Sequence, residues 1–307
     1  MVASQNGVPG SEDMAPTPGG ERPRREVHLQ RAEDAAVDGD WVIAPGGRRL
    51  RSHVHLVQPG QVLVLREPAP GLLRRRPHPG PPPVANWIVY AGWLNTTGKP
   101  VSSLLTTWTV PPPPTLVANQ LIYLFNGIEP GDASTIVQPV LQWGDSGTDE
   151  DGVNRTGPFW TAASWIVPAP DGQTYHTPHV RVQPGDRLVG SVVLTNSGAE
   201  GFTYNCQFEG LAGTLLPTPP VPELLWCVET LEAYELVGQH QVPYDLDKAS
   251  EYPGTASIAF QNIAIVTDAP GPAGAWVKEN IVTAFGEHAE VTADSTTNGT
   301  VTIFLQR

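Results

Sequence analysis

The chain has 307 residues and a net charge of −13, with 33 Pro, 31 Gly, 40% hydrophobic and only 16% charged residues. That balance argues against a helical protein, which would draw on Ala, Glu, Lys and Leu, and supplies enough apolar material for a large core. The charge is uneven: residues 1–85 hold 11 Arg and 9 acids, whereas residues 86–307 hold 7 basic and 22 acidic residues, and so acidic a body repels phosphate backbones and speaks against nucleic acid as a partner.

Residues 1–40 are rich in Gly, Pro and charge and lack hydrophobic periodicity, which predicts disorder. Met1 to Arg25 has no apolar stretch of the kind a secretory signal needs, so the expectation is a cytoplasmic or non-classically exported protein. No apolar run reaches the roughly 18–20 residues of a membrane span. From Trp41 to Glu67 a small β element is predicted. Its hairpin is placed at Gln58-Pro59-Gly60, between Val54/Leu56 and Val62–Leu65. Residues 68–85 read as a Pro/Arg-rich linker of polyproline II character, with Arg74-Arg75-Arg76 at its centre.

Residues 86–307 read as one β-sandwich domain. Short apolar runs alternate with turn signals: Trp87–Trp93, Leu104–Val110, Gln120–Asn126, Thr135–Trp143, Phe159–Val167, His179–Val182, Arg187–Leu194, Phe202–Gly210, Leu224–Leu236, Thr255–Val266, Ala275–Ala284 and Val301–Leu305. The separators, such as Pro111–Pro114, Glu129-Pro-Gly131 and Gln183-Pro-Gly-Asp186, set φ or permit positive φ and so favour turns. A dozen short strands at this spacing predict an all-β fold, a two-layer antiparallel sandwich or a barrel. Cys206 and Cys227 both fall in strand-like runs and read either as two buried thiols or as one bridge between neighbouring strands.

Side-chain alternation sorts the polar residues of these runs by face. In Thr135–Trp143, Gln138, Val140 and Gln142 share one face, and Leu141 and Trp143 share the other, more core-like face. In Leu224–Leu236, Glu232 lies with Val228, Thr230 and Tyr234, and Glu229 and Glu235 lie opposite with Leu231 and Ala233. Period 2 alone does not choose among the three glutamates.

Taken in order, several segments resemble the glutamic peptidases (the eqolisin family), which have a concanavalin-like β sandwich. They are Trp108-Thr-Val-Pro111, Phe125-Asn-Gly-Ile-Glu129, Pro139-Val-Leu-Gln142-Trp-Gly144, Phe159–Trp165, Gln183–Arg187 and Trp226–Glu235. The resemblance implies a catalytic pair, Gln142 and Glu232, with Phe125, Glu129, Gln138, Ser164, Trp165 and Tyr234 lining a substrate cleft, and no metal or other cofactor. Glu232 would act as general base on water and the Gln142 amide would hold the oxyanion. A Glu near its reference pKa of about 4.3 is partly ionised in mild acid, so an acid-acting endopeptidase, active or degenerate, is implied. The chain departs from the family at Ala162-Ala-Ser164-Trp165, which has no carboxylate where the peptidases carry one. A second function also fits: a non-catalytic module that binds a glycan or a peptide by stacking on Trp143, Trp160, Trp165 and Trp226, with Asn126, Gln138 and Gln142 as amide partners. His176 and His179, flanking Pro178, read as loop residues, and His53-x-His55 as part of a half-exposed hairpin. The sequence leaves the number of subunits open.

Overall fold

The computed structural model describes residues 41–63, 87–150, 152–237, 240–243, 246, 249–269, 276–280 and 286–305. The expected disorder of 1–40 and the expected linker at 68–85 lie outside them. All described residues belong to one compact unit, 39–307.

The chain opens with β1 (Trp41–Ala44) and β2 (Gly47–Leu50), then a single 3-10 turn and β3 (Val54–Leu56). Next among the described residues come β4 (Trp87–Leu94), β5 (Val101–Thr109), β6 (Gln120–Glu129) and β7 (Ile136–Gly144), and then the short pair β8 (Asp149–Glu150) and β9 (Val153–Asn154). There follow β10 (Gly157–Val167), β11 (Thr174–His176), β12 (Val180–Arg181), β13 (Arg187–Gly198), β14 (Gly201–Phe208) and β15 (Leu216–Pro217). The chain closes with β16 (Trp226–Val237), β17 (His240–Pro243), β18 (Ser257–Thr267), β19 (Trp276–Asn280), β20 (His288–Ala293) and β21 (Gly299–Phe304). The predicted runs thus all carry strands, including Leu224–Leu236.

Two large sheets make the sandwich. One has ten strands along the path β19-β4-β16-β6-β7-β10-β11-β3, with β12 on β10 and β17 on β16. The other has seven, in the order β15-β14-β13-β5-β18-β21-β20. Pairing is antiparallel throughout except where β3 joins β11 in parallel. Between the sheets lies the main core, in which Leu124, Leu141, Leu231, Trp93, Trp108, Trp143, Trp160, Phe208 and Phe260 are buried. Cys206 and Cys227 also belong to it, as free thiols rather than a bridge. Burial pushes the Cys206 thiol up to about 12. At one point the layers touch so closely that a Cβ on Gly190 would meet Asn126 Oδ1 at 2.3 Å and the Trp108 ring at 2.8 Å.

The larger sheet has a second apolar layer on its other face, formed by Trp87, Tyr90, Leu121, Tyr123, Phe125, Val140, Trp165, Val228 and Tyr234. Ala44 of β1 is buried within it and Ile43 packs against it. The strands β6 and β7 are buried at every position: one face meets the second sheet and the other carries this apolar layer, to which the N-terminal segment contributes.

The hairpin itself differs from its predicted place. It joins β1 and β2, with Ala44 paired to Gly47 across Pro45-Gly46, and Gly46 has φ +83°. Proline at the first turn position and a positive-φ glycine at the second are what a type II turn needs. Gln58-Pro59-Gly60 forms only a turn, closed by Gln61 N–H donating to Gln58 O at 3.0 Å, and no strand follows at residues 61–63. Val64 and Leu65 of that predicted run lie outside the described residues.

Among the described residues, no helix is long and apolar enough to cross a membrane.

Candidate functional site

Strand register brings the two residues singled out in the sequence onto one row. Glu232 of β16 pairs with Tyr123 of β6, and Tyr123 pairs with Gln142 of β7. Thr161 of β10 extends the row. Adjacent strands lie about 4.8 Å apart, so the Glu232 and Gln142 backbones stand roughly 10 Å from each other with Tyr123 between them. All three side chains project to the face away from the sandwich core, as the alternation of β7 and β16 predicts. Glu229 takes the opposite face. It is wholly buried between the sheets, where Thr106 Oγ1 donates to its Oε1 at 2.6 Å.

Each member of the row has defined partners. Gln142 is 1% exposed. Its Nε2 donates to Gly144 O at 2.9 Å, and its Oε1 lies 3.2 Å from His179 Nε2. Gly144 can turn its carbonyl back in this way because it ends β7 at φ +100°, where a Cβ would stand 2.2 Å from Gln120 O. Glu232 Oε1 accepts from the Tyr234 hydroxyl and from the backbone N–H of Gly46, the latter at 2.8 Å. Its Oε2 has no hydrogen-bond partner among the described residues. Tyr123 donates its hydroxyl to Ile43 O at 2.6 Å.

Two of these partners, Gly46 N–H and Ile43 C=O, are main-chain groups of the N-terminal hairpin. A further bond from Ile43 N–H to Ser146 O, at 2.8 Å, ties β1 to the loop after β7. The face is therefore occupied by the protein's own polypeptide, held by backbone groups at the carboxyl and at the tyrosine beside it. The hairpin also sets the electrostatics. Burial is the largest cause that raises the Glu232 carboxyl to about 8; the hydrogen bonds from Tyr234 and Gly46 and the charge of Arg49 oppose it only in part. The sequence placed this glutamate near its reference value; beneath the hairpin it instead holds its proton at neutral pH.

The remaining predicted residues are dispersed. Phe125 and Tyr234 share the face, and Phe125 packs edge-on against Trp87 with centroids 5.7 Å apart. Trp165 and Gln138 share it too, paired with each other across β10 and β7. Gln138 Oε1 is buried without a hydrogen-bond partner among the described residues. Glu129 ends β6, six residues from Tyr123, roughly 20 Å along the strand at about 3.3 Å per residue, and so stands apart from the row. Its carboxyl is raised to about 8 by burial and then by Asp132. Ser164 does not belong to the face. It alternates with Trp165 onto the sandwich side, where its hydroxyl donates to Thr214 O at 2.7 Å.

The tryptophans proposed for glycan stacking offer no open surface. Trp143 and Trp160 pack edge-on in the main core, Trp165 is fully buried against His176, and Trp226 is 2% exposed. Among the described residues no group of three His, Cys, Asp or Glu is arranged to hold a metal ion. His55 Nε2 instead lies 3.0 Å from Gln173 Oε1.

Sequence reasoning missed Tyr123, His179 and the hairpin. Tyr123 was legible in part, since it falls on the same parity as Phe125. The hairpin's contacts span 80 and 186 residues of chain and left no local signal.

The architecture is an all-β sandwich with a covered amide–tyrosine–carboxyl row on the outer face of one sheet. No family model matches the chain, and no curated protein does. Among solved structures, it is similar to scytalido-glutamic peptidase with a peptide-based transition-state analog, at 15% identity and a TM-score of 0.45 over 72% of this chain and 99% of that one. A second structure of that peptidase, with a transition-state analog inhibitor, aligns at 14% identity and a TM-score of 0.45, over 72% of this chain and 98% of that one. SCP-B, a member of the eqolisin family of peptidases in complex with the tripeptide Ala-Ile-His, aligns at 13% and 0.41, over 72% and 99%. The similarity to these structures is distant.

Proposed function

We propose that the chain is the latent form of a glutamic-type endopeptidase, with Gln142 and Glu232 as its catalytic pair and the β1–β2 hairpin as a cover over the site. The observation that carries the reading is the register Glu232–Tyr123–Gln142 with peptide backbone seated directly on it. A surface that holds a polypeptide by its main-chain N–H and C=O groups has the chemistry to hold a substrate in the same way.

With the hairpin displaced, water reaches Glu232 and the desolvation that raises its carboxyl is relieved. The carboxylate then takes a proton from a water molecule as the oxygen attacks the peptide carbonyl. The free Nε2 hydrogen of Gln142 stabilises the developing oxyanion, and Glu232 returns the proton to the departing amine. Activity in mild acid follows, because a solvated glutamate is partly ionised there.

The test uses the full chain. Ala44, at the end of β1, is fully buried against the outer apolar layer, so Ala44→Arg has no room there and dislodges the hairpin. Ala44→Arg is expected to cleave an unfolded polypeptide at pH 4 to 5 where the wild type does not. The cleavage should vanish when Glu232→Gln or Gln142→Ala is added. A variant whose Gly46 amide exchanges freely with solvent, yet which cleaves nothing between pH 3 and 7, sinks the proposal.

A further inference from the structure

We infer that His179 is a positioning residue for Gln142: it fixes which end of the side-chain amide faces the imidazole and so presents the remaining Nε2 hydrogen to the open side of the row. The catalytic consequence rests on the function proposed above; the orientation itself does not.

The argument starts from the two ends of the amide. Gly144 O can only accept a hydrogen bond, so the amide atom 2.9 Å from it is the nitrogen. The other end, Oε1, can only accept, and it faces His179 Nε2 at 3.2 Å. His179 therefore carries its proton on Nε2. An amide has two N–H groups; Gly144 engages one, which leaves one for a ligand. Were the imidazole replaced by an apolar group, Oε1 would be buried without a donor, and rotation of the amide would have less to oppose it.

The ring is held for this role. His179 packs edge-on against Trp165, with centroids 5.7 Å apart, and lies 5.3 Å from His176. His176 is itself stacked on Trp165 at 4.5 Å, with its Nδ1 2.9 Å from Thr177 O. His176, expected in a loop, ends β11, and the segment from it to His179 is stitched to β10 twice: Thr177 N–H donates to Ser164 O at 3.0 Å, and Ser164 N–H donates to Thr177 Oγ1 at 2.9 Å. Ser164, absent from the cleft face, thus anchors through its backbone the segment that orients the amide. A histidine 6% exposed in such a cage has little freedom to turn away.

Two measurements on the full chain decide it. In long-range 1H–15N spectra at alkaline pH, His179 is expected as the Nε2–H tautomer; a bare Nε2 with the proton on Nδ1 overturns the inference whether or not the protein has any activity. In the Ala44→Arg background, His179→Leu is expected to lower kcat about 10- to 100-fold with KM within about 2-fold, short of the ~10²–10³-fold cost of losing an oxyanion donor outright. His179→Gln, which keeps an N–H near the Nε2 position, should recover most of that loss. Equal losses in both variants, or a loss confined to KM, overturn the positioning role. If Ala44→Arg itself cleaves nothing, the proposed function fails and the tautomer still decides the orientation.

Discussion

Replacing Glu232 by Gln should flatten the dependence of stability on pH. The folded protein holds the Glu232 proton up to about 8, against an ordinary value of 4.5. Between those limits the folded state binds more protons than the unfolded chain, so stability is greatest below pH 4.5, falls as pH rises and levels off above about 8. One proton of difference corresponds to a slope of about 1.4 kcal/mol per pH unit, so that Glu232 alone withdraws on the order of 3 kcal/mol by pH 7, about 4 kcal/mol by pH 8 and about 5 kcal/mol in all. Gln keeps an oxygen to accept from Gly46 and Tyr234 but has nothing to titrate. Urea unfolding at pH 5, 6, 7 and 8, followed by tryptophan fluorescence, gives the slopes directly. The Glu232→Gln curve is expected to be shallower than the wild-type curve by roughly one proton. Parallel curves across that range would mean that Glu232 is already ionised in the folded state, and the account of a carboxyl desolvated by the hairpin would fall.

Other perturbations test the surrounding parts. Tyr123→Phe removes only the hydroxyl that donates to Ile43 O. A net loss of roughly 0.5–1.5 kcal/mol should speed hydrogen exchange at Gly46 by about 2- to 13-fold while leaving exchange in the main core unchanged. Gly144→Ala places a Cβ against Gln120 O at a positive φ and should destabilise the fold by at least ~1–3 kcal/mol, read as a lower midpoint in urea. Glu229→Gln removes a second buried carboxyl raised by desolvation; it too should reduce the loss of stability between pH 5 and 8, without affecting any cleavage by the Ala44→Arg variant beyond what stability explains.

Much of the fold was legible because the strands are short, apolar and punctuated. Pro111–Pro114 and Gln183–Asp186 separate runs that the structure pairs as β5 and β13, and alternation alone put Leu141 and Trp143 in the sandwich core and Gln142 on the other face. The same rule sorted Glu232 from Glu229 but did not say which glutamate mattered, because the two differ only in which sheet covers them. Ser164 was misplaced by reading the segment Phe159–Trp165 as a unit when adjacent residues on a strand face opposite ways. The hairpin was misplaced for another reason. Trp41–Leu50 carries a Pro-Gly turn as good as the one at Gln58–Gly60, and the choice between them is made by a surface supplied some 80 to 190 residues later, which no local pattern contains.

Burial of every position in β6 and β7 has a consequence for how the site would be controlled. A strand covered on both faces is the rule in sheets with layers on each side, and here the part of the second cover that meets Glu232 and Tyr123 is a ten-residue hairpin rather than a further sheet. Its grip combines one buried alanine, a few apolar contacts and main-chain hydrogen bonds at Glu232, Tyr123 and Ser146. The hairpin's burial of Glu232 stabilises the protonated carboxyl, and the protonated carboxyl is the form that tolerates burial. Raising the pH therefore favours release of the hairpin, whereas the chemistry proposed for the exposed site calls for mild acid. Acid alone would hold this cover in place, so the activity proposed in mild acid requires a change made to the hairpin itself, as Ala44→Arg makes.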